Sequence, residues 1–378
     1  MTRWATKRLG DVADLCLGKM LDEQKNKGEL LPYLANVNVR WGSFDCENLR
    51  EMRFAHNEME RYGLVRGDIV MCEGGEPGRC AIWQESIPGM MIQKALHRIR
   101  SHSCLDHRYL FYFFLHTGRI GGFAPLFTGA TIKHLPKQSL TKLEITYPQR
   151  LIQEQIADIL STYDDLIENN RRRMTLLEES ARQLYREWFV RLRFPGYEHT
   201  PIVDCVPQGW ERAPLESALV LQRGFDLPTQ DRQEGVVPIY GSTGVLGYHD
   251  KVKAIAPGVV TGRSGTLGEV QYVAEDYWPL NTALWVKEFK RVTPLFALFL
   301  LREMDLKQFN GGASVPTLDR KSVHRVEILI PSLPMLRSFD EFASDIFLQI
   351  QNFTYQNKKL RAARDLLLPR LMSGELAV

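Results

Sequence analysis

From Ile156 onward, the side chains at Leu160, Tyr163, Ile167, Asn170, Met174, Leu177, Ala181, Leu184 and Trp188 follow in alternating steps of four and three. The same rhythm returns at Phe339, Ala343, Ile346, Ile350, Phe353, Asn357, Leu360, Arg364, Leu367 and Leu371. A 4-3 spacing held over about four heptads predicts a coiled-coil seam. Asn170 and Asn357 interrupt the apolar pattern, and a polar seam residue fixes register and partner at some cost in stability. Each helix, of roughly 35–40 residues, would be roughly 50–60 Å long.

Upstream of each helix the pattern changes to short β-type runs punctuated by glycine. Asp68-Ile69-Val70-Met71 and Cys80-Ala81-Ile82-Trp83 flank Glu73-Gly74-Gly75-Glu76-Pro77-Gly78. Tyr109–His116 is a compact helix candidate, stopped by Gly118. Gly258-Val259-Val260-Thr261, the glycine-spaced run Gly262–Gly268 and a helix over Pro294–Met304 repeat this plan. The repetition is also literal. Trp4, Leu9, Gly18, Leu21 and Pro32 recur at Trp210, Leu215, Gly224, Leu227 and Pro238, at a constant offset of 206. Gly129-Ala130-Thr131 faces Gly312-Ala313-Ser314, and Ile145-x2-Pro148 faces Ile328-x2-Pro331, at an offset of 183. The second copy is therefore 23 residues shorter, the loss falling inside the unit.

The expected fold class is α+β: two small α/β units in tandem repeat, separated by two long antiparallel coiled-coil helices. The expected boundaries are a unit over 1–148, a helix over 149–190, a linker over 191–209, a unit over 210–331, a helix over 332–372 and a tail over 373–378. Antiparallel packing of the helices would place one unit at each end of a rod, about a pseudo-twofold axis. The alternative is that each helix packs only on its own unit.

At 44% hydrophobic and 25% charged residues, the chain has the composition of a globular protein. No apolar run approaches the ~20 residues of a membrane span. Met1-Thr2-Arg3-Trp4 lacks the apolar stretch of a secretory signal, so a cytoplasmic location is expected. Six cysteines without a C-x-x-C pair are expected to be free thiols. A net charge of +3 permits nucleic-acid binding without demanding it.

Catalytic constellations are missing from the sequence. There is no phosphate cradle of the G-x4-G-K-[S/T] kind, and Gly262-x2-Gly265-x2-Gly268 has the wrong spacing for a dinucleotide turn. His97, His102 and His107 lie five apart, which fits neither a helical metal pair nor an alternating strand, so no metal is expected. Glu23-Gln24-Lys25 and Glu288-Phe289-Lys290 share one element of a nuclease signature but lack an upstream Pro-Asp.

A recognition surface remains. Polar, basic and aromatic residues crowd the turns at Arg40, Trp41, Arg79, Lys133 and His134 in the first unit. In the second they are Arg223, Ser242, Thr243, Arg263, Ser264, Arg320 and Lys321. Arginine forked onto guanine, with hydroxyls on phosphates or base edges, is the chemistry expected in a DNA groove. Arg79 and Arg263 stand out because both sit in glycine-flanked turns of the two repeats. The competing reading is a two-domain coiled-coil adaptor that binds proteins.

The helix text Ile152–Val190 resembles the central region of type I restriction–modification specificity subunits, through Ile156-Ala157-Asp158-Ile159-Leu160-Ser161 and Leu184-Tyr185-Arg186-Glu187-Trp188-Phe189. Leu366–Leu376, which contains Leu367-Leu368-Pro369-Arg370-Leu371, is similar to the family's C-terminal signature. The resemblance implies two target-recognition domains and a pair of spacer helices. It also implies no catalysis and no cofactor in this chain. The expected partners are double-stranded DNA, two modification subunits carrying S-adenosylmethionine, and restriction subunits. The partner interface is expected along Ile156, Leu160, Tyr163, Ile167, Asn170, Leu177, Leu184, Ile346, Ile350, Phe353, Asn357, Leu360 and Leu367.

Overall fold

The structure, a computed structural model, describes residues 4–20, 22, 26–312 and 314–378. The chain divides into two compact units, Met1–Glu168 with Asn357–Val378, and Asn169–Gln356, so both boundaries fall inside the long helices Arg150–Tyr185 and Leu333–Met372.

In the first unit a four-stranded sheet runs in the order Ala13–Leu17, Leu96–Ser101, Ile69–Cys72, Cys80–Ile82, all neighbours antiparallel. Ile69–Cys72 is buried throughout, which is why its sequence is a continuous apolar run rather than an alternation. A second sheet pairs Glu29–Leu34 antiparallel with Arg50–Phe54 and parallel with Met91–Ile92. The helix His107–Arg119 starts at Asp106, whose carboxylate accepts from the backbone of Arg108 and Tyr109 at 2.8 and 3.1 Å. That satisfies two of the N–H groups a helix start leaves unpaired. Its buried face, including Tyr109, Leu110 and Phe114, joins Leu9, Ile69, Ile99 and Ile145 in one core.

The second unit repeats this wiring strand for strand. Leu219–Arg223, Ala283–Phe289, Gly258–Gly262 and Val270–Val273 form the same four-stranded order. Val237–Gly241 pairs antiparallel with Gly244–His249 and parallel with Trp278–Pro279. The helix Pro294–Glu303 takes the place of His107–Arg119, with proline at its first position, where no N–H is needed. Most of the shortfall lies between the strands Glu29–Leu34 and Ile69–Cys72. There the first unit inserts the turn Asn36–Asn38, the ribbon Val39–Phe44 and the helix His56–Tyr62. Arg40 and Trp41 therefore have no counterpart.

The preserved glycines mark points where backbones nearly touch. A Cβ on Gly18 would sit 2.4 Å from the carbonyl oxygen of Gln93, and one on Gly224 2.3 Å from that of Leu280. Gly129 and Gly312 face the carbonyls of Ile132 and Val315 in the same way, at 2.2 and 2.0 Å. No other residue fits such an approach without moving a main chain.

Each unit contains parts of both long helices, and within each they run antiparallel. In the first, Ile156 and Leu160 share a core with Leu368, Leu371 and Met372, and Asn357 Nδ2 lies 3.4 Å from the carbonyl oxygen of Ile167. In the second, Tyr185, Trp188 and Phe189 pack on Phe339, with ring centroids 5.2–6.2 Å apart. Every 4-3 position of both helices is buried or half-buried. Arg364, the charged member, pairs with Asp164 and Asp365, and Asp164 also accepts from the Tyr112 hydroxyl at 2.7 Å. Beyond Tyr185 the winding loosens to a π-type turn, Arg186–Val190. Residues 191–209 form a small hairpin, Ile202–Val203 against Val206–Pro207, and Phe194 is buried on Trp210 with centroids 5.0 Å apart. Glu23 and Lys25, with Leu21, Ala313 and Met1 to Arg3, lie outside the described residues.

Candidate nucleic-acid interface

In the first unit three loops meet beside the hairpin turn that joins Ile69–Cys72 to Cys80–Ile82. Trp41 Nε1 donates to Glu76 Oε1 at 3.1 Å, and Arg79 Nη1 to Glu76 Oε2 at 2.7 Å. Arg79 Nη2 reaches the carbonyl oxygen of Asn36 at 3.0 Å. Arg79 is thus turned inward, its side chain 17% exposed, and joins two loops. The third loop is a hairpin closed by two 2.8 Å backbone bonds between Thr128 and His134, with an exposed tip. It is tied to the turn where Leu135 N donates to Glu73 O at 2.8 Å, and the His134 ring lies against Gly74. Lys133 stands on the hairpin, its Nζ 5.9 Å over the Phe127 ring. Arg40 is exposed, bonded to the Val37 carbonyl and 3.4 Å from Asp45.

His97 supports the hairpin from beneath, its Nε2 donating to Leu135 O at 2.7 Å. Burial holds this imidazole below the ordinary histidine pKa. The unfolded ring titrates at ~6.5. The contribution of His97 to stability is therefore full above about that pH, and is lost as the pH falls towards the lower folded value. Burial lowers His107 and His116 in the same direction. The melting temperature should fall between pH 7.5 and 5.5, with a shallower slope for His97→Gln. A slope unchanged by that substitution would contradict the assignment.

The second unit assembles a matching cluster from other residues. Arg223 Nη2 contacts both oxygens of Asp226 at 2.8 and 3.1 Å, and Asn281 Nδ2 donates to the same carboxylate. The Asn281 bond, with Arg223 and Arg263 nearby, holds this carboxyl below the usual carboxylate range. Arg263 Nη1 donates to Asn281 O at 2.9 Å. The turn carrying Ser242 and Thr243 approaches the strand end at Gly262, where an added Cβ would lie 3.2 Å from Ser242 O. Ser264 bridges to Thr317 on the second copy of the exposed hairpin, and Gly265 N donates to Pro316 O at 3.0 Å. Arg320 and Lys321 stand apart on the short helix Arg320–His324. Lys321 lines a shallow cleft there with Pro214, Glu216, His324 and Arg325.

Backbone hydrogen bonds refine the expected equivalence of Arg79 and Arg263. Cys72 N donates to Arg79 O as Gly262 N does to Glu269 O, and Leu135 N to Glu73 O as Leu318 N does to Arg263 O. The two arginines therefore occupy opposite ends of equivalent turns: Glu73 corresponds to Arg263, and Arg79 to Glu269. The charge at each end is inverted between the units.

Other candidates disperse. His102 lies 3.3 Å from Asp14, while His97 is buried under the hairpin and His107 sits at the start of its helix. Glu288 is exposed, and Lys290 Nζ donates to Glu216 O at 2.9 Å. The six cysteines are unpaired. No helix among the described residues is long and apolar enough to cross a membrane.

The duplicated wiring and its loop clusters have known relatives. Residues 1–179 match the family described as type I restriction modification DNA specificity domain. The MjaIX type I restriction enzyme specificity subunit of Methanocaldococcus jannaschii is 26% identical, over 99% of this chain and 94% of its own length. The chain is similar to type I restriction–modification specificity subunits. The HindI specificity subunit of Haemophilus influenzae is 20% identical, over 65% of this chain and 72% of its own. The crystal structure of the type I S subunit from M. genitalium shares the fold, with a TM-score of 0.57 at 17% identity, covering 98% of this chain and 96% of that one.

Glu76, Asn36, Asp226, Asn281 and His97 are the members of these clusters that the sequence did not single out as DNA contacts. Glu76, three residues before Arg79, and Asp226, three residues after Arg223, carried local signals. The others act across gaps in sequence that no local pattern marks.

Proposed function

We propose that this chain is a type I specificity subunit that recognises a bipartite, asymmetric site in double-stranded DNA, each unit reading one half-site through its loop cluster. The observation that carries this reading is the repeated strand order bearing equivalent loops with different side chains. Equivalent scaffolds support equivalent docking, and different loop residues read different bases. The long helices set the unread spacer. They also dock two modification subunits, which supply S-adenosylmethionine and methylate adenine, while this chain carries no reaction of its own. Exposed apolar side chains support the docking role: Leu166 and Leu366 in the first unit, and Leu176, Leu348 and Tyr355 in the second, are 45–72% exposed. Restriction subunits would join the same complex in the cytoplasm.

A salt titration of the assembled methyltransferase on its DNA tests the reading. The log–log slope should be near −0.9 for each phosphate neutralised. A flat dependence would favour the protein-binding adaptor instead. Arg263 spends one of its five N–H donors on Asn281, leaving a fork available for a base. Arg263→Ala should weaken binding at one half-site by ~1–3 kcal/mol, read by competition between duplexes. An equal loss on every sequence would make Arg263 a phosphate contact.

A further inference from the structure

We infer that Glu76 is a base-reading residue of the first unit, and that it selects a base presenting an exocyclic amine in the major groove. The inference rests on the DNA-recognition reading above and names one residue of that site. The two nearby side chains with the most obvious appeal as readers, Trp41 and Arg79, both donate to Glu76 rather than pointing away from it. Each takes one carboxylate oxygen, so a lone pair remains on each oxygen, and the side chain stays 56% exposed.

The turn beneath it is rigid. Gly78 N donates to Cys72 O at 3.0 Å, Cys72 N to Arg79 O at 2.8 Å and Arg79 N to Glu76 O at 3.2 Å. Asn36 packs against Gly75 so closely that a Cβ there would meet its Nδ2 at 2.6 Å. A carboxylate held this way is an acceptor fixed before the ligand arrives, which is what discrimination requires.

Electrostatics narrows its role. A carboxylate on a face that meets phosphates is repelled by them, and it becomes favourable where it accepts a hydrogen bond. In the major groove cytosine N4 and adenine N6 donate, whereas guanine O6 and N7 and thymine O4 would repel it. The second unit carries Ser264-Gly265-Thr266-Leu267-Gly268 in the equivalent turn and lacks this acceptor. The preference should therefore appear in one half-site only.

The test is the methylated motif produced in cells by the complete methyltransferase, with wild-type chain, Glu76→Gln or Trp41→Phe. Wild type should show an amine-bearing base at the affected position. Glu76→Gln should relax that one position, with discrimination falling roughly 5- to 150-fold, and leave the second half-site unchanged. Trp41→Phe removes one of the two fixing donors and should relax the same position less. An unchanged motif for Glu76→Gln overturns the inference. So does a folded, partner-bound complex whose binding falls equally on all duplexes, since Glu76 would then only pack the loops. A wild-type complex that yields no gapped motif removes the recognition reading and this inference with it.

Discussion

Phe339→Ala should lower the stability of the chain by ~3–5 kcal/mol, the cost of emptying a large aromatic site in a packed core. Phe339 is fully buried. Its ring lies 5.2 Å from Phe189, 6.1 Å from Tyr185 and Phe299, and 6.2 Å from Trp188. These residues come from the first long helix, the second long helix and the helix Pro294–Glu303, so no single neighbour can move in to fill the space. Phe339→Leu keeps most of the volume and should cost markedly less. Denaturant unfolding followed by tryptophan fluorescence reads the difference directly. A loss below about 1 kcal/mol for Phe339→Ala would mean the cluster is far less tightly packed than its geometry implies.

Arg100→Ala should be comparably damaging to the first unit, for an electrostatic reason. Arg100 Nε and Nη2 contact Asp68 Oδ1 and Oδ2 at 2.7 and 2.8 Å, and the Asp68 side chain is 1% exposed. The fork supplies two charge-assisted bonds in one plane. Among the described residues, removing it leaves the buried Asp68 carboxylate with the Val65 backbone N–H at 2.9 Å; because the Arg100 side chain is itself 37% exposed, the cost is that of an under-satisfied buried acceptor, ~3 kcal/mol. Arg100→Lys restores charge but not the fork and should recover only part. Combining Arg100→Ala with Asp68→Asn should recover more than additivity allows, as expected for residues in direct contact. Strictly additive losses would dissolve the pairing argument. Asp68 directly precedes the strand Ile69–Cys72, whose far end opens into the turn carrying Glu76. The variant should therefore also impair recognition of one half-site.

The parts of the fold most legible in the sequence were those fixed by periodicity or by steric exclusion. The 4-3 spacing located the inward positions of both helices because burial of one helix face permits little else at those places. Gly18 and Gly224, like Gly129 and Gly312, stayed recognisable because a carbonyl oxygen lies where any side chain would begin. Pairing across the sheets was not legible. Glu73 and Arg263 share a position with opposite charge, so a residue-type comparison aligned Arg263 with Arg79 instead. The inward turn of Arg79 depends on a carbonyl 43 residues away. Residues 191–209, where a plain linker is expected, instead hold a strand pairing, and Phe194 packs on Trp210. Loop clusters follow from tertiary approach, and single-residue chemistry could nominate their members but not show which of them hold the others.

The most direct test of the central claim is a genome-wide comparison of adenine methylation in the source cell, with and without this gene. The expected result is the loss of one bipartite, gapped, asymmetric motif, whose two halves identify what each unit reads and whose gap gives the spacer. An unchanged methylation map, in cells shown to express the chain together with its modification subunit, would contradict it.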